Sequence, residues 1–403
     1  MALKWPPSFV SGQPKEVDSS LANLLPKSRS WACGIFVVMG IESSTHRGSG
    51  WPGWAWLRPA LAAGTLAVAV GIGLVVAHAQ PVATISVPTK AEAAARAALG
   101  RQLFFDKSLS ADASVSCASC HQPEKAFSDG RKVALGIGGR VGLRNSPSLL
   151  NVGHHRAFFW DGRVPSLEQQ VLEPLTNPNE HGFTKLSDLM SRLREQALYK
   201  AAFNKAFAVP GTDAIRAETI AAALAVFVRS LVSPESAIDR FVLKGDKNAL
   251  SAEARAGLEL FRGRAQCASC HLLNDDAGTG RVQLSDQQFH AHGQLVYPMQ
   301  AAVRSRLAAG TRVADFAKAN PREASSFGRF MVTGSVEDVG AFKTPSLRNV
   351  ALTAPYFHDG SAETLEQAVD RELLGKTSEI KLSATETRQL IAFLRALIDD
   401  PSK

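Results

Sequence analysis

The 403-residue sequence predicts a mainly α-helical protein of two units related by internal duplication, and three observations predict it. Apolar residues recur at helical spacing, while an alternating strand pattern of useful length is hard to find. The pentapeptide Cys-Ala-Ser-Cys-His occurs twice, at Cys117–His121 and Cys267–His271, and uses four of the five cysteines. Around each copy the same shorter motifs stand in the same order, the sign of a duplicated unit.

Residues 1–79 read as a leader. Leu61–Ala77 is an almost unbroken apolar run, preceded by Arg58 and followed by Ala77-His78-Ala79-Gln80, which fits a signal peptide cleaved after Ala79. The rival reading is an uncleaved membrane anchor, because seventeen apolar residues approach the minimum for a bilayer span. The polar, proline-containing stretch before Met39 is too long for a signal n-region, so Met39 is an alternative start that would leave Cys33 outside the protein. Either reading exports the chain and gives a periplasmic location.

The first unit is expected over residues 80–245 and the second over 246–403. Gly100-x-x-Leu103-Phe104 before the first pentapeptide is matched by Gly257-x-x-Leu260-Phe261 before the second. Pro147-Ser148-Leu149-x-Asn151-Val152, Phe159-Trp160-Asp161-Gly162 and Leu167-Glu168-Gln169-x-Val171 return 198 residues later, at Pro345, Phe357 and Leu365. The pentapeptides are only 150 apart, so the second unit carries 48 extra residues between its pentapeptide and its Pro-Ser-Leu motif. Within the first unit, Ala214–Leu231 reads as a helix burying Ile220, Leu224, Phe227, Val228 and Leu231. Ser233-Pro234 breaks it, and Lys244-Gly245-Asp246-Lys247 is the expected hinge. Near the end, Ser383 with Glu386 forms a capping box for a helix whose apolar face is Leu390, Ile391, Leu394, Leu397 and Ile398, with a stop at Pro401.

The pentapeptide carries chemistry of its own. Two thiols three residues apart can each add to a haem vinyl group while the next residue's imidazole reaches the iron. This predicts two covalently bound c-type haems, on Cys117, Cys120 and His121 and on Cys267, Cys270 and His271. A redox Cys-x-x-Cys pair explains a single copy but not the repeat. A zinc site would need both pairs to converge, and gives no reason for a histidine after each second cysteine. With these four cysteines committed, a disulfide framework is excluded.

The net charge of +8 falls to +5 without the leader, and four haem propionates would offset most of the remainder. The basic balance therefore does not imply a nucleic-acid partner. A few Lys and Arg around a haem edge would suit an acidic redox protein.

From Ala93 to Leu397 the chain resembles the bacterial di-haem cytochrome c peroxidase/MauG family. The motifs that carry the likeness are Leu103-Phe104-Phe105-Asp106, Arg144-Asn145-Ser146-Pro147, Phe159-Trp160-Asp161-Gly162-Arg163, Asn177-Pro178-x-Glu180, Leu347-Arg348-Asn349-Val350 and Pro355-Tyr356-Phe357-His358-Asp359-Gly360. The resemblance implies two cytochrome c-like domains, a peroxidatic haem in the first and an electron-transfer haem in the second. It also implies hydrogen peroxide as substrate.

What it implies for single residues follows the same motifs. Glu180 takes the place of the carboxylate that moves the peroxide proton, and Gln170 that of a distal amide that orients peroxide. Trp160 stands where the family has an indole between the haems, where the repeat has His358. Asn145, with the carbonyls of Thr353 and Pro355, matches a calcium site between the domains, and oxygen donors suit that ion.

Two departures matter. The loop before Arg144, Gly136-Ile137-Gly138-Gly139-Arg140-Val141-Gly142, lacks the histidine that blocks the first iron in many relatives, so the first haem is expected to be open to peroxide at rest. His154 and His155 read as surface or packing residues. The expected distal ligand of the second haem, a methionine or tyrosine in the family, falls on Glu372, with Met331, His290 and His292 as substitutes. The expected function is an exported oxidoreductase that uses hydrogen peroxide to form a high-valent di-haem state. That state would oxidise a small cytochrome or cupredoxin, or an aromatic side chain of a partner protein. The alternative is a non-catalytic di-haem electron-transfer cytochrome.

Overall fold

The structure, a computed structural model, describes residues 88–275, 278–291, 293, 296–375 and 380–399. The expected leader, Met39, Cys33 and His292 lie outside them. The first half is built on α1 (Lys90–Phe105), α2 (Leu186–Glu195), α3 (Ala197–Phe207) and α4 (Ala217–Arg229). Thr89 caps α1: its hydroxyl accepts from the Glu92 N–H at 3.2 Å, and the Glu92 carboxylate accepts from the Thr89 N–H at 2.8 Å. Two helix-end amides are thereby satisfied. α4 begins three residues later than the apolar pattern suggests, because Gly211–Ala214 forms a separate 3-10 turn and Arg216 is extended. Its expected buried face, with Leu231 beyond its end, is found in full.

The second half runs α5 (Ala237–Leu243), α6 (Ala252–Arg262), β1 (Phe289–Ala291), α7 (Val296–Ala308), α8 (Val313–Ala319), α9 (Pro321–Ser326), β2 (Ala341–Lys343), α10 (Leu365–Leu374) and α11 (Ala384–Arg395). Ser383 caps α11 by the expected box with Glu386, and Phe393, fully buried, adds to the expected face. β1 and β2 pair antiparallel, with His290 opposite Phe342 and Phe289 opposite Lys343. Long loops and single helical turns make up most of the remainder, so the protein is mainly helical.

α1 crosses α4 at Gly100, where a Cβ would stand 1.9 Å from the Ala223 carbonyl oxygen. α6 crosses α11 at Gly257, where a Cβ would stand 1.9 Å from the Gln389 carbonyl oxygen. Only glycine lets two helix backbones approach so closely. The same residue spacing then brings Phe104 against Phe227, with ring centroids 5.1 Å apart, and Phe261 against Phe393 at 5.0 Å. Burying each such ring contributes roughly 2–3 kcal/mol.

Apolar side chains of the described residues gather in three cores. One spans Leu99 to Leu231, the second Ile238 to Leu397, and a small third, from Val303 to Val339, lies in the extra segment. The loop motifs also share geometry. Asn151 and Asn349 are left-handed at φ 60° and 58°, as are Phe159 and Phe357 at 66° and 70°. The Asn145 N–H donates to the His358 carbonyl at 2.8 Å, and the Lys343 N–H donates to the Trp160 carbonyl at the same distance. Each bond joins a residue two before a Pro-Ser-Leu motif to the second residue of the other half's Phe-x-Asp-Gly motif. No helix among the described residues is long and apolar enough to cross a membrane.

Candidate active site

Cys117–Cys120 forms a single helical turn that delivers His121 at its end, where the His121 N–H donates to the Cys117 carbonyl at 3.0 Å. The imidazole is then fixed from behind. Its Nδ1–H donates to the Phe127 carbonyl at 2.9 Å, and Phe127 takes φ 57° to present that oxygen. This tautomer leaves the Nε2 lone pair for iron. His271 is set in the same way, with Nδ1 donating to the Leu284 carbonyl at 3.0 Å and Leu284 at φ 54°. Burial pushes the Cys117 thiol up to about 12 and the Cys120 thiol up to about 11. A dithiol redox pair needs the opposite shift, whereas thioether sulfurs carry no proton.

Cys117, Cys120 and His121 line a cleft with about 600 Å³ of empty space, counted to its open mouth, and Gln170, Glu180 and His181 line the same cleft. Attachment thiols, a tethered imidazole with a free lone pair and a largely apolar cavity together fit a haem. The structure thus brings five of the expected site residues to one place. Glu180 is positioned by the Asn177–Glu180 turn, in which Asn177 Oδ1 accepts from the Asn179 N–H at 2.9 Å and the Asn177 carbonyl from the Glu180 N–H at 3.0 Å. Asn177 Nδ2 donates to Glu180 Oε1 at 2.6 Å. Burial raises the Glu180 carboxyl above its ordinary range, against the lowering charge of Arg163 and the Asn177 bond. Arg163 is itself anchored, with Nε 2.7 Å from Glu173, NH1 3.1 Å from Asp161 and its guanidinium over the Phe159 ring.

The glycine-rich loop docks directly on this turn. The Ile137 N–H donates to the Glu180 carbonyl at 2.9 Å, and Arg140 NH1 donates to the Pro178 carbonyl at 2.8 Å. A Cβ on Gly136 would stand 2.1 Å from the Asn179 carbonyl oxygen. The loop offers no imidazole. Sequence reasoning missed His181, which is buried and donates from Nδ1 to the Leu109 carbonyl at 2.7 Å. Arg192 holds that loop by donating to the Ser108, Ser110 and Ala111 carbonyls. The only signal for His181 was its place directly after Glu180.

Trp160 is not in the cleft lining. Its Nε1–H donates to the Asn145 carbonyl at 3.0 Å while its own carbonyl accepts from Lys343, so it is bonded to both halves. His358 stacks on Phe342, with centroids 3.8 Å apart. Asn145 Nδ2 donates to the Arg131 carbonyl at 2.8 Å and to the Pro355 carbonyl at 3.3 Å. Half a turn of that amide would set Oδ1 beside the Arg131 and Pro355 carbonyl oxygens, three of the roughly six to eight oxygens that calcium takes. Thr353, two residues before Pro355, uses its hydroxyl on the Val350 carbonyl.

At the second site, Glu372 is exposed on α10, whose Val369 and Leu373 face the second core. Met331 packs on the third core. His290 bonds Asp286 at 2.7 Å, and both lie within 4.8 Å of Cys270 Sγ.

The family profile described as "Di-haem cytochrome c peroxidase" matches residues 94–248. The chain is 36% identical over 316 residues to the methylamine utilization protein MauG of Methylorubrum extorquens, covering 76% of this chain and 79% of that one. It is 34% identical over 328 residues to the cytochrome c551 peroxidase of Nitrosomonas europaea, covering 81% and 86%. Among solved structures, it is similar to a MauG-like protein associated with microbial copper homeostasis, with a TM-score of 0.60, 32% identity and coverage of 78% and 91%.

Proposed function

The chain belongs to the di-haem cytochrome c peroxidase family, and from that membership we propose that it is an exported enzyme in which hydrogen peroxide reacts at the N-terminal haem and Trp160 relays electrons between the two haems. The family makes it a peroxidase with haem cofactors, with hydrogen peroxide as substrate and a redox protein as partner. The finer reading is ours. Both haems are c-type, held by Cys117, Cys120 and His121 and by Cys267, Cys270 and His271. The halves, expected at 80–245 and 246–403, arose by duplication, which the paired glycine crossings and left-handed asparagines support. The core changes earlier than that expected boundary, between Leu231 and Ile238, so α5 goes with the second half. A calcium ion at Asn145, Thr353 and Pro355, a distal role for Glu372 and a periplasmic location complete the proposal.

One observation carries it: Glu180 and Gln170 line the same cleft as Cys117, Cys120 and His121. When bound there, haem supplies the iron at which peroxide is reduced. Reduction to two waters consumes two electrons and two protons. Glu180 takes a proton from one peroxide oxygen and returns it to the departing one. The Gln170 amide orients peroxide, and Asn177 keeps the carboxylate aimed. His121, tethered through Nδ1, would hold the iron through Nε2.

A second reading, in which the oxidised partner is a protein side chain rather than a small redox protein, is supported by the imidazole-free loop on Glu180. Low-temperature EPR of the diferric protein, before and after one equivalent of peroxide, tests the proposal. A high-spin signal that peroxide removes is expected. Two low-spin signals indifferent to peroxide would instead favour the electron-transfer cytochrome.

A further inference from the structure

Lys343 is buried, 7% exposed, and its ammonium meets no carboxylate within salt-bridge distance among the described residues. Its partner is an imidazole: Nζ donates to His155 Nδ1 at 2.8 Å across 188 residues of sequence. An imidazole nitrogen that accepts carries no proton, so the pair holds one positive charge. Burial lowers Lys343 to about 8 and holds His155 well below its ordinary value, so a proton in the pair rests on Lys343 rather than on the imidazole. A buried cation without an anion costs several kcal/mol. A nearby anion would offset that cost and keep the ammonium charged.

The place of this pair says which anion. Lys343 lies two residues before Pro345, as Asn145 lies two before Pro147, and each donates its backbone N–H across to the other half. Beyond Asn145, Leu149 lines the first cleft. Beyond Lys343, Leu347 packs on the second core together with Cys267 and Ala268. Lys343 and Phe289 share a face of the β1–β2 ribbon, and the Phe289 ring lies where a Cβ on Gly162 would be, so this face rests on the Trp160–Arg163 segment. The pair therefore sits beside Trp160, where a residue of one half meets a residue of the other.

We propose that the Lys343 ammonium, held by His155, is the built-in counter-cation of a haem propionate at the contact between the halves, with the second haem's propionate favoured by the Leu347 connection. At the 198-residue offset the same place in the first half holds Asn145, where an ion would have to be recruited. The inference rests on the reading of two attached haems. His155 is then a positioning residue: its Nδ1 orients the ammonium, which the sequence reading left as packing.

The test uses the full holoprotein, with haem content from the pyridine haemochrome and both midpoint potentials from spectroelectrochemical titration, each assigned to its haem by EPR of poised samples. Losing a nearby positive charge makes ferric haem harder to reduce. Lys343→Gln with two haems attached is expected to lower one midpoint potential, and Lys343→Arg to retain the wild-type value. A shift confined to the second haem places the propionate there; a shift confined to the first places it on the other haem. If Lys343→Gln is not recovered intact, Lys343→Met keeps the packed stem and loses only the charge. Unmoved potentials in a fully loaded neutral variant overturn the assignment. So does a wild-type potential that follows added inorganic phosphate at constant ionic strength, since the anion would then come from solution. A wild-type count below two haems would remove the di-haem reading itself, which separates that failure from this one.

Discussion

Asn177 Nδ2 donates to Glu180 Oε1 over 2.6 Å, and both residues belong to one four-residue turn that the Asn177 side chain also closes from its other end. The carboxylate that faces the first cleft is thus aimed by a residue three positions earlier, not by a distant partner. A single short segment, Asn177-Pro178-Asn179-Glu180, holds both the proposed proton-transfer group and its positioning.

Glu180→Gln keeps the shape and the Asn177 contact but cannot take a proton. Haem content should stay at the wild-type level while peroxide turnover falls by about 10²–10⁴-fold, read by stopped-flow absorption. Burial raises the Glu180 carboxyl, so the ionised form needed to accept a proton appears only above the ordinary glutamate range. Wild-type turnover should therefore fall as pH drops through that raised value, and the limb should vanish in Glu180→Gln. An unchanged rate would remove Glu180 from the reaction.

Gly136→Ala tests the docking of the loop on the same turn. The added Cβ would stand 2.1 Å from the Asn179 carbonyl oxygen and 2.6 Å from Glu180 Cα, and both are backbone. The turn must move, so turnover should drop with haem content intact and with the pH limb displaced. A substitution at Gly138, whose Cβ would meet nothing within 4 Å but whose φ of 57° disfavours a side chain, is the control for backbone strain in the loop without contact with the turn. Equal effects at the two positions would mean that contact with Glu180 is not what Gly136 protects.

Local chemistry was the legible part of this chain. The haem motif, the capping box at Ser383 and the face of α4 each lie within a few helical turns, where spacing alone determines geometry. The pairings that join distant segments were not legible. Lys343 with His155 and Arg348 with Asp239 are separated by 188 and 109 residues, and neither partner predicts the other. β1 and β2, three residues each, are too short to show alternation and form through pairing across the extra segment. Phe393 was missed because the periodic face already had enough members without it.

Trp160→Phe removes the Nε1–H that donates to the Asn145 carbonyl and replaces an indole with a ring that is harder to oxidise. Electron equilibration between the haems should slow more than peroxide binding, read by stopped-flow spectra at haem-specific bands. Calcium chelation should slow the same step if Asn145 binds the ion, since Asn145 holds Trp160 directly. An equilibration rate untouched by Trp160→Phe would leave the indole as a packing residue.

Arg348 is the central cation of the second half. Its NH2 meets both oxygens of Asp239, and its NH1 lies 3.3 Å from Asp399, with all three side chains at most 4% exposed. Asp239 also accepts the Val282 N–H at 2.7 Å and the Ser236 N–H at 2.9 Å. Arg348→Leu, the residue type at the matching first-half position Leu150, leaves two buried acids unpaired and should cost about 3–5 kcal/mol. Guanidinium unfolding monitored in the second half would measure it. A loss below about 1 kcal/mol, the level of an exposed pair, would show that the network is not carrying charge.

Gly100→Ala and Gly257→Ala test the two helix crossings together. In a helix that touches nothing, alanine stabilises by roughly 1 kcal/mol over glycine. Here each new Cβ would meet a carbonyl oxygen at 1.9 Å, and a backbone on a packed helix cannot swing aside as a side chain would. Overpacking of this kind costs about 1–3 kcal/mol, which outweighs the helix gain and sets the sign. Gly100→Ala should destabilise the half whose core holds Phe104 and Phe227, and Gly257→Ala the half that holds Phe261 and Phe393. Unfolding is best read by proteolysis and haem-band absorption in each half, because a protein with separate cores need not unfold in one step. If each substitution lowers the stability of its own half by a similar amount, the two crossings are equivalent devices, in keeping with the proposed duplication. A stabilising effect at either position would mean that the helices can part there without cost, and that the paired glycines have some other reason.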